Sequence, residues 1–198
     1  MSNRSESSEF VLLCFPGLQQ KFQILVSMTM FIVYISTLSA NGVVVGLMIL
    51  KEHLRQPMYM FIGNLALSDL LFDTITLPKI IDKYWFGDGN ISFFGCLFQL
   101  FFVHYLASVD IFIMMLMAAD RYIAIYEPLR YSTIVSQKDT TILCFAFWVL
   151  CAFPSAYATL MALNVSYCGR NKIYNCFCYS NVVYELACSD VFLSDKTF

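Results

Sequence analysis

The chain has 198 residues, 59% hydrophobic and 13% charged, with a formal net charge of −2. That charged share is about half that of an ordinary soluble domain, so no single soluble core could hide the apolar side chains, and no basic run marks a nucleic-acid surface. The composition therefore excludes a soluble globular domain, makes no case for a nucleic-acid partner, and points to the lipid bilayer as the surrounding medium.

In chain order, apolar runs at about 22–50, 58–81, 93–125 and 140–163 each exceed the roughly 18 residues that mark a membrane-spanning helix. Lipid offers backbone groups no partner outside the segment, so all four are predicted helices of an all-α membrane protein. The first run starts late and lacks a basic lead and a small-residue cleavage pattern, so it is expected to stay as a signal anchor. The connections are too short for a separate soluble domain, and no repeat or flexible linker appears; the chain reads as one membrane unit.

Orientation is read from sequons and cysteines. Asn3-Arg4-Ser5 in the tail, Asn90-Ile91-Ser92 between the second and third runs, and Asn164-Val165-Ser166 after the fourth fit the glycosylation pattern. With alternating spans all three fall on one side, which must be luminal or extracellular for them to be used. The expectation is a multi-pass protein of the cell membrane with its amino terminus outside. Lys51, Arg55, Arg121, Arg130 and Lys138 on the inner side against Lys83, Arg170 and Lys172 on the outer give only a slight positive-inside bias. Of the eight cysteines, Cys144 and Cys151 lie in the fourth run and read as small buried side chains; Cys14 lies in the tail. Cys96, Cys168, Cys176, Cys178 and Cys188 share the sequon side, where disulfides persist, but spacing alone does not pair them.

Polar residues inside the spans carry the functional reading. Asn41 sits in the first, and Asp69 and Asp73 one turn apart in the second. In the third, Val103, Ala107, Asp110, Met114, Met117 and Arg121 recur at steps of three and four, which puts Asp110 and Arg121 on one face. A charge at mid-membrane costs about 2.5–3.5 kcal/mol on insertion scales, so Asp69 and Asp110 should face protein or trapped water; a protonated acid hydrogen-bonded between helices is the structural alternative. His104 and Ser108 share a face of the outer half of the third span, as ligand contacts or as interhelical hydrogen-bonders. That span closes on Asp120-Arg121-Tyr122 and the helix-stopping Pro128. On the residues alone, the cluster reads equally as an interfacial charge group and as a functional one. No nucleophile with a neighbouring base, His-Glu-x-x-His spacing or phosphate-binding glycine loop is present, which argues against an enzyme.

The chain resembles the olfactory receptors among the rhodopsin-like G-protein-coupled receptors, nearly end to end. The residues that carry the likeness are Glu9-Phe10-Val11-Leu12-Leu13, Ala40-Asn41, Pro57-Met58-Tyr59, Asn64 to Asp69, Leu77-Pro78-Lys79, Ile91 to Cys96, and Gln99 to His104. Met117-Ala118-Ala119-Asp120-Arg121-Tyr122-Ile123-Ala124-Ile125-Tyr126-Glu127-Pro128-Leu129-Arg130-Tyr131 is similar to the family's signature, with Ala119 in place of a tyrosine and Tyr126 in place of a cysteine. Asp110 stands where the family usually has glutamate, and Asp73 where it has a small hydroxyl residue. Cys168-Gly169, Cys178 and Leu186 to Asp190 resemble its long extracellular loop, in which Asn175 and Tyr179 replace a histidine and an aspartate.

The resemblance implies a helical bundle of seven spans, four of them present here, followed by an extracellular loop over 164–198. It implies a receptor for small volatile or water-borne odorants that couples to a heterotrimeric G protein through Asp120, Arg121 and Tyr122. Odorant contact falls to His104 and Ser108, and an ion or water site to Asn41, Asp69 and Asp110, with sodium as the ion and no other cofactor. It pairs Cys96 with Cys178 and Cys168 with Cys188, leaving Cys176 over. Because the chain stops at Phe198, where a fifth span would begin, it is expected not to signal alone. A four-span scaffold and a non-olfactory rhodopsin-like receptor fragment are the alternatives.

Overall fold

A computed structural model of the chain describes residues 9–51, 56–165, 167 and 171–186. The elements run β1 (Glu9–Leu12), α1 (Gln20–Leu50), α2 (Pro57–Phe86), β2 (Asn90–Ser92), α3 (Phe93–Tyr126), α4 (Tyr131–Ile134), α5 (Gln137–Leu150), α6 (Ala152–Asn164), β3 (Lys172–Ile173) and α7 (Ser180–Glu185). Four helical stretches among the described residues are long and apolar enough to cross a membrane: Lys21–Leu50, Pro57–Phe86, Phe93–Tyr126 and Gln137–Asn164. The protein is a mostly helical, multi-pass membrane protein.

Local chemistry sets the helix ends. Pro57 opens α2, where a missing N–H costs nothing. Gly87, at φ +76°, closes it with its N–H on the Lys83 carbonyl at 2.9 Å. The helix therefore outruns the expected end near residue 81, carrying Pro78 inside it. The fourth run also starts earlier than expected and divides in two. Ser136 caps α5 by accepting from the Asp139 N–H at 3.1 Å while its hydroxyl meets Asp139 Oδ2 at 2.7 Å. Pro154 has no N–H for the Leu150 carbonyl, and the helix breaks at Cys151 between α5 and α6. At 1.5 Å per residue the 34 residues of α3 span roughly 50 Å against about 30 Å of hydrocarbon. Its ends therefore reach the interfaces, where Asp120 and Arg121 can be accommodated.

The described chain divides into two compact units. The first takes the chain up to Phe31, Ile75–His104, and everything from Ser155. It contains a three-stranded sheet in the order β2-β1-β3, with β1 antiparallel to β2 (Phe10 opposite Ile91) and parallel to β3 (Leu12 opposite Ile173). Glu9 points to solvent while Phe10 and Leu12 are buried, the period-2 alternation of a half-buried strand. They pack with Cys96, Leu97, Leu100 and Ile173. This sheet is an addition to the all-helical expectation.

The second unit takes Ile32–Thr74 and Tyr105–Pro154. Its core is Phe61, Val109, Ile113, Cys144 and Cys151, with Trp148 and Tyr105 packed on it. Along α3, Val103, Leu106, Val109, Ile113 and Asp120 are buried, whereas Ala107 and Met114, which share the face of Asp110 and Arg121, are exposed. The helix is apolar on nearly every side, so hydrophobic periodicity alone does not say which face is buried.

Candidate functional site

At the end of α3, in the second unit, Asp120 is buried with its side chain 2% exposed, while that of Arg121 is half exposed. Arg121 donates to Asp120 Oδ2 through a terminal nitrogen at 2.6 Å and through Nε at 3.1 Å. The other oxygen, Oδ1, accepts from the Tyr131 hydroxyl at 2.6 Å. A buried carboxylate needs such partners. Burial, and then the hydrogen bond to Asp120 and its charge, push the Tyr131 phenol up to about 12, partly opposed by Arg121. It therefore keeps its proton, and its role as donor, throughout the physiological range. A cleft of about 700 Å³ opens beside the pair, lined by Gln56, Met58, Arg121, Tyr131, Val135 and Gln137 among others. Tyr122 lies on the exposed side, stacked on Tyr126 at 5.5 Å. Chemically, the arrangement is a half-exposed cation paired with a buried carboxylate at the rim of a cleft.

Further along the same unit lie the carboxylates of the spans. Asp110 is half-buried and within charge-interaction range of Asp69, which in turn interacts with Asp73. Ser68 is a near neighbour of Asp110, yet Ser68 Oγ and Asp110 Oδ1 are both buried without a partner in hydrogen-bonding geometry. Asn41, on α1, is half-buried and makes no hydrogen bond to the carboxylates. The place of Ser68 beside Asp110 is not legible in the sequence, because its steps to Asp69 and Asp73 do not reveal which helix it faces.

Two polar networks went unrecognised in the sequence. In the second unit, Trp148 Nε1 donates to Asn64 Oδ1 at 3.0 Å, and the Trp148 carbonyl accepts from the Tyr105 hydroxyl at 2.8 Å. In the first, Gln99 is 4% exposed and uses both ends of its amide. Its Nε2 donates to the Ile75 carbonyl at 3.0 Å, and its Oε1 accepts from the Cys178 N–H at 3.2 Å. Gln99→Leu leaves both backbone groups without this partner, at about 1–3 kcal/mol. Thermal unfolding in detergent should show the loss, and an unchanged midpoint would mean that these bonds contribute nothing net.

Disulfides join Cys96 to Cys178 and Cys14 to Cys176. The first, with Cα atoms 5.3 Å apart, ties the start of α3 to the loop. The second corrects the reading of Cys176 as left over. Cys168, Cys188 and Asn3 lie outside the described residues. Asn90 in β2 and Asn164 at the end of α6 are exposed, and Asn164 Nδ2 is engaged with the Leu160 carbonyl at 3.0 Å. On α3, His104 and Ser108 are each half-buried, His104 in the first unit and Ser108 in the second.

Comparison with known proteins agrees with the layout of motifs. The family model described as olfactory receptor matches residues 30–195. Olfactory receptor 4K2 of Homo sapiens is 35% identical over 195 residues, covering 98% of this chain and 61% of that protein. Olfactory receptor 1496 of Rattus norvegicus is 34% identical over 195 residues, with 98% and 63% covered. Olfactory receptor 12D1 of Homo sapiens is 34% identical over 196 residues, with 98% and 60% covered. The chain thus spans about three fifths of the length of these relatives. Such receptors are not enzymes. With a family match across most of its length and relatives above 30% identity along nearly all of it, the chain belongs to the olfactory receptor family.

Proposed function

We propose that this chain supplies the amino-terminal part of an odorant receptor of the cell membrane, with its amino terminus outside and Arg121 on the G-protein side. The observation that carries the reading is the arginine at the rim of a cleft, held by Asp120, which Tyr131 holds in turn. An ion pair with one partner half exposed is weak enough for ligand binding to break. Freed, Arg121 can help form the surface that receives a heterotrimeric G protein, beside Asp120 and Tyr122. The ligand is a small, mostly apolar odorant, volatile or water-borne, because a pocket between apolar helices with a few polar groups suits such molecules. His104 and Ser108 are the residues of α3 assigned to it. The test is a cyclic-nucleotide assay in cells expressing this chain followed by the remaining spans of a family member. A concentration-dependent response to at least one odorant is expected, and silence toward a broad odorant panel at normal surface density would contradict the reading.

Support for an ion site comes from the Asp110 and Ser68 oxygens, buried beside each other within charge range of Asp69. Two carboxylates in range repel unless a cation or a proton intervenes, and sodium bound among them, with Asn41 nearby on the sequence likeness, would relieve the repulsion. Asp69→Asn should abolish any sodium dependence of odorant affinity in the extended receptor. Sodium dependence surviving in that variant would remove the site.

The orientation predicts that Asn3 is glycosylated, while Asn90, in a strand, and Asn164, engaged with its own helix, are poor acceptors. Asn3→Gln should therefore remove most of the glycosidase-sensitive mass. An unchanged mass shift would contradict either the use of Asn3 or the placement of the tail.

A further inference from the structure

Cys14 and Cys176 lie 162 residues apart in sequence, and the sheet brings them together. Beyond β1 the backbone continues to pair with the loop: the Leu13 N–H donates to the Ile173 carbonyl at 2.8 Å and the Cys14 N–H to the Asn175 carbonyl at 3.2 Å. Cys14 then takes φ +50°, a left-handed conformation uncommon outside glycine. The chain turns there, the Phe15 N–H meets the Tyr84 hydroxyl at 3.3 Å, and the Cys14 side chain packs on Ile80 and Tyr84 beside Cys176 and Phe177. The strand is thus delivered to the loop with its sulfur already facing the partner.

The two disulfides differ in access. Cys96 and Cys178 are 1% and 0% exposed, inside the cluster around Phe10 and Leu100. Cys14 is 6% exposed, and Cys176 is only half-buried. Exchange requires a thiolate to reach one sulfur, so access decides which bond opens first.

We propose that Cys14–Cys176 is a thiol-addressable strap that locks the amino-terminal strand onto the loop, and that a small dithiol opens it before Cys96–Cys178. The reductant's thiolate attacks one sulfur, and the other cysteine leaves as a thiolate and takes a proton. The reductant's second thiol then displaces the mixed disulfide, giving two protein thiols and one cyclic disulfide. Two electrons pass from reductant to protein. Once open, β1 is still held by its backbone hydrogen bonds, by the Lys83 ammonium on the Leu12 carbonyl and by the burial of Phe10 and Leu12. The proposal rests on the extracellular placement given above, because disulfides persist on that side. Cys96 and Cys178 share the same face, so their oxidation reports the placement, whereas Cys14 reports the strap.

The test is differential alkylation of the 198-residue chain in membranes of expressing cells. Samples are exposed briefly to graded dithiothreitol, blocked with light N-ethylmaleimide, denatured, fully reduced and labelled with the heavy reagent before peptide mass spectrometry. Without reductant all four cysteines should carry the heavy label, and a non-reduced digest should contain a peptide pair joining Cys14 to Cys176. Cys14 and Cys176 should then turn light together at a dose roughly tenfold below that needed for Cys96 and Cys178. In Cys14→Ser, Cys176 should be light from the start while Cys96 stays heavy. Light label on Cys14 before reduction with Cys96 heavy, a different partner for either cysteine, or simultaneous opening of both bonds would overturn the proposal. Light label on Cys96 and Cys178 before reduction would instead overturn the extracellular placement, and the strap with it.

Discussion

Trp148→Ala should lower the stability of the protein by about 3 kcal/mol, the low end for a tryptophan truncated in a core, because Trp148 is only partly buried. Inside a bilayer, lipid is as apolar as the side chain, so the loss comes from packing and hydrogen bonding rather than from water exclusion. Packing is the larger share: Trp148 covers the cluster of Phe61, Val109, Ile113, Cys144 and Cys151 and meets the Tyr105 ring edge-on at 5.9 Å. The Nε1–Asn64 bond contributes less, since hydrogen bonds between membrane helices average about 0.6 kcal/mol. Trp148→Phe keeps a ring and loses the bond, and should cost about 1 kcal/mol. Melting of the two variants in detergent separates these effects. A Phe variant as damaged as the Ala variant would make the hydrogen bond, not the packing, dominant.

Asp120→Ala should raise basal signalling in a receptor completed through seven spans. Asp120 holds Arg121 by two hydrogen bonds and is itself held by Tyr131. Solvent reaches the half-exposed guanidinium and screens the pair, so its removal shifts the resting equilibrium by about 1–2 kcal/mol, a factor of roughly 5–30. Tyr131→Phe removes only the support of Oδ1 and should give a smaller rise in the same direction. Basal cyclic-nucleotide levels at matched surface density measure both, and a fall in either variant would mean that the pair promotes activity rather than restraining it.

The four spans were legible because bilayer thickness imposes a length that no soluble core requires, and the apolar runs meet it. Their ends were less legible. Ser136 and Gly87 act through backbone geometry, and Pro154 sits in an unbroken apolar run whose hydropathy does not register a missing N–H. The sheet was hidden by its shortness: strands of four, three and two residues cannot display a period. At the end of α3 the sequence located Asp120 and Arg121 but not Tyr131, because a partner eleven residues away is defined by the turn after Pro128 and not by any helical spacing. Cys176 could not be paired from spacing, and its partner lay in a tail that gave no sign of being ordered. Asp73 interacts with Asp69, yet nothing in the structure explains why a carboxylate rather than a hydroxyl stands there.

The most direct measurement of the central claim is odorant-evoked cyclic-nucleotide accumulation by the extended receptor and its Arg121→Ala variant, compared at equal surface density. The account predicts a clear response from the parent and none from the variant, whose odorant binding is retained because Arg121 opens on the cleft beside Asp120 and not on the residues assigned to the ligand. Full signalling by Arg121→Ala would contradict it.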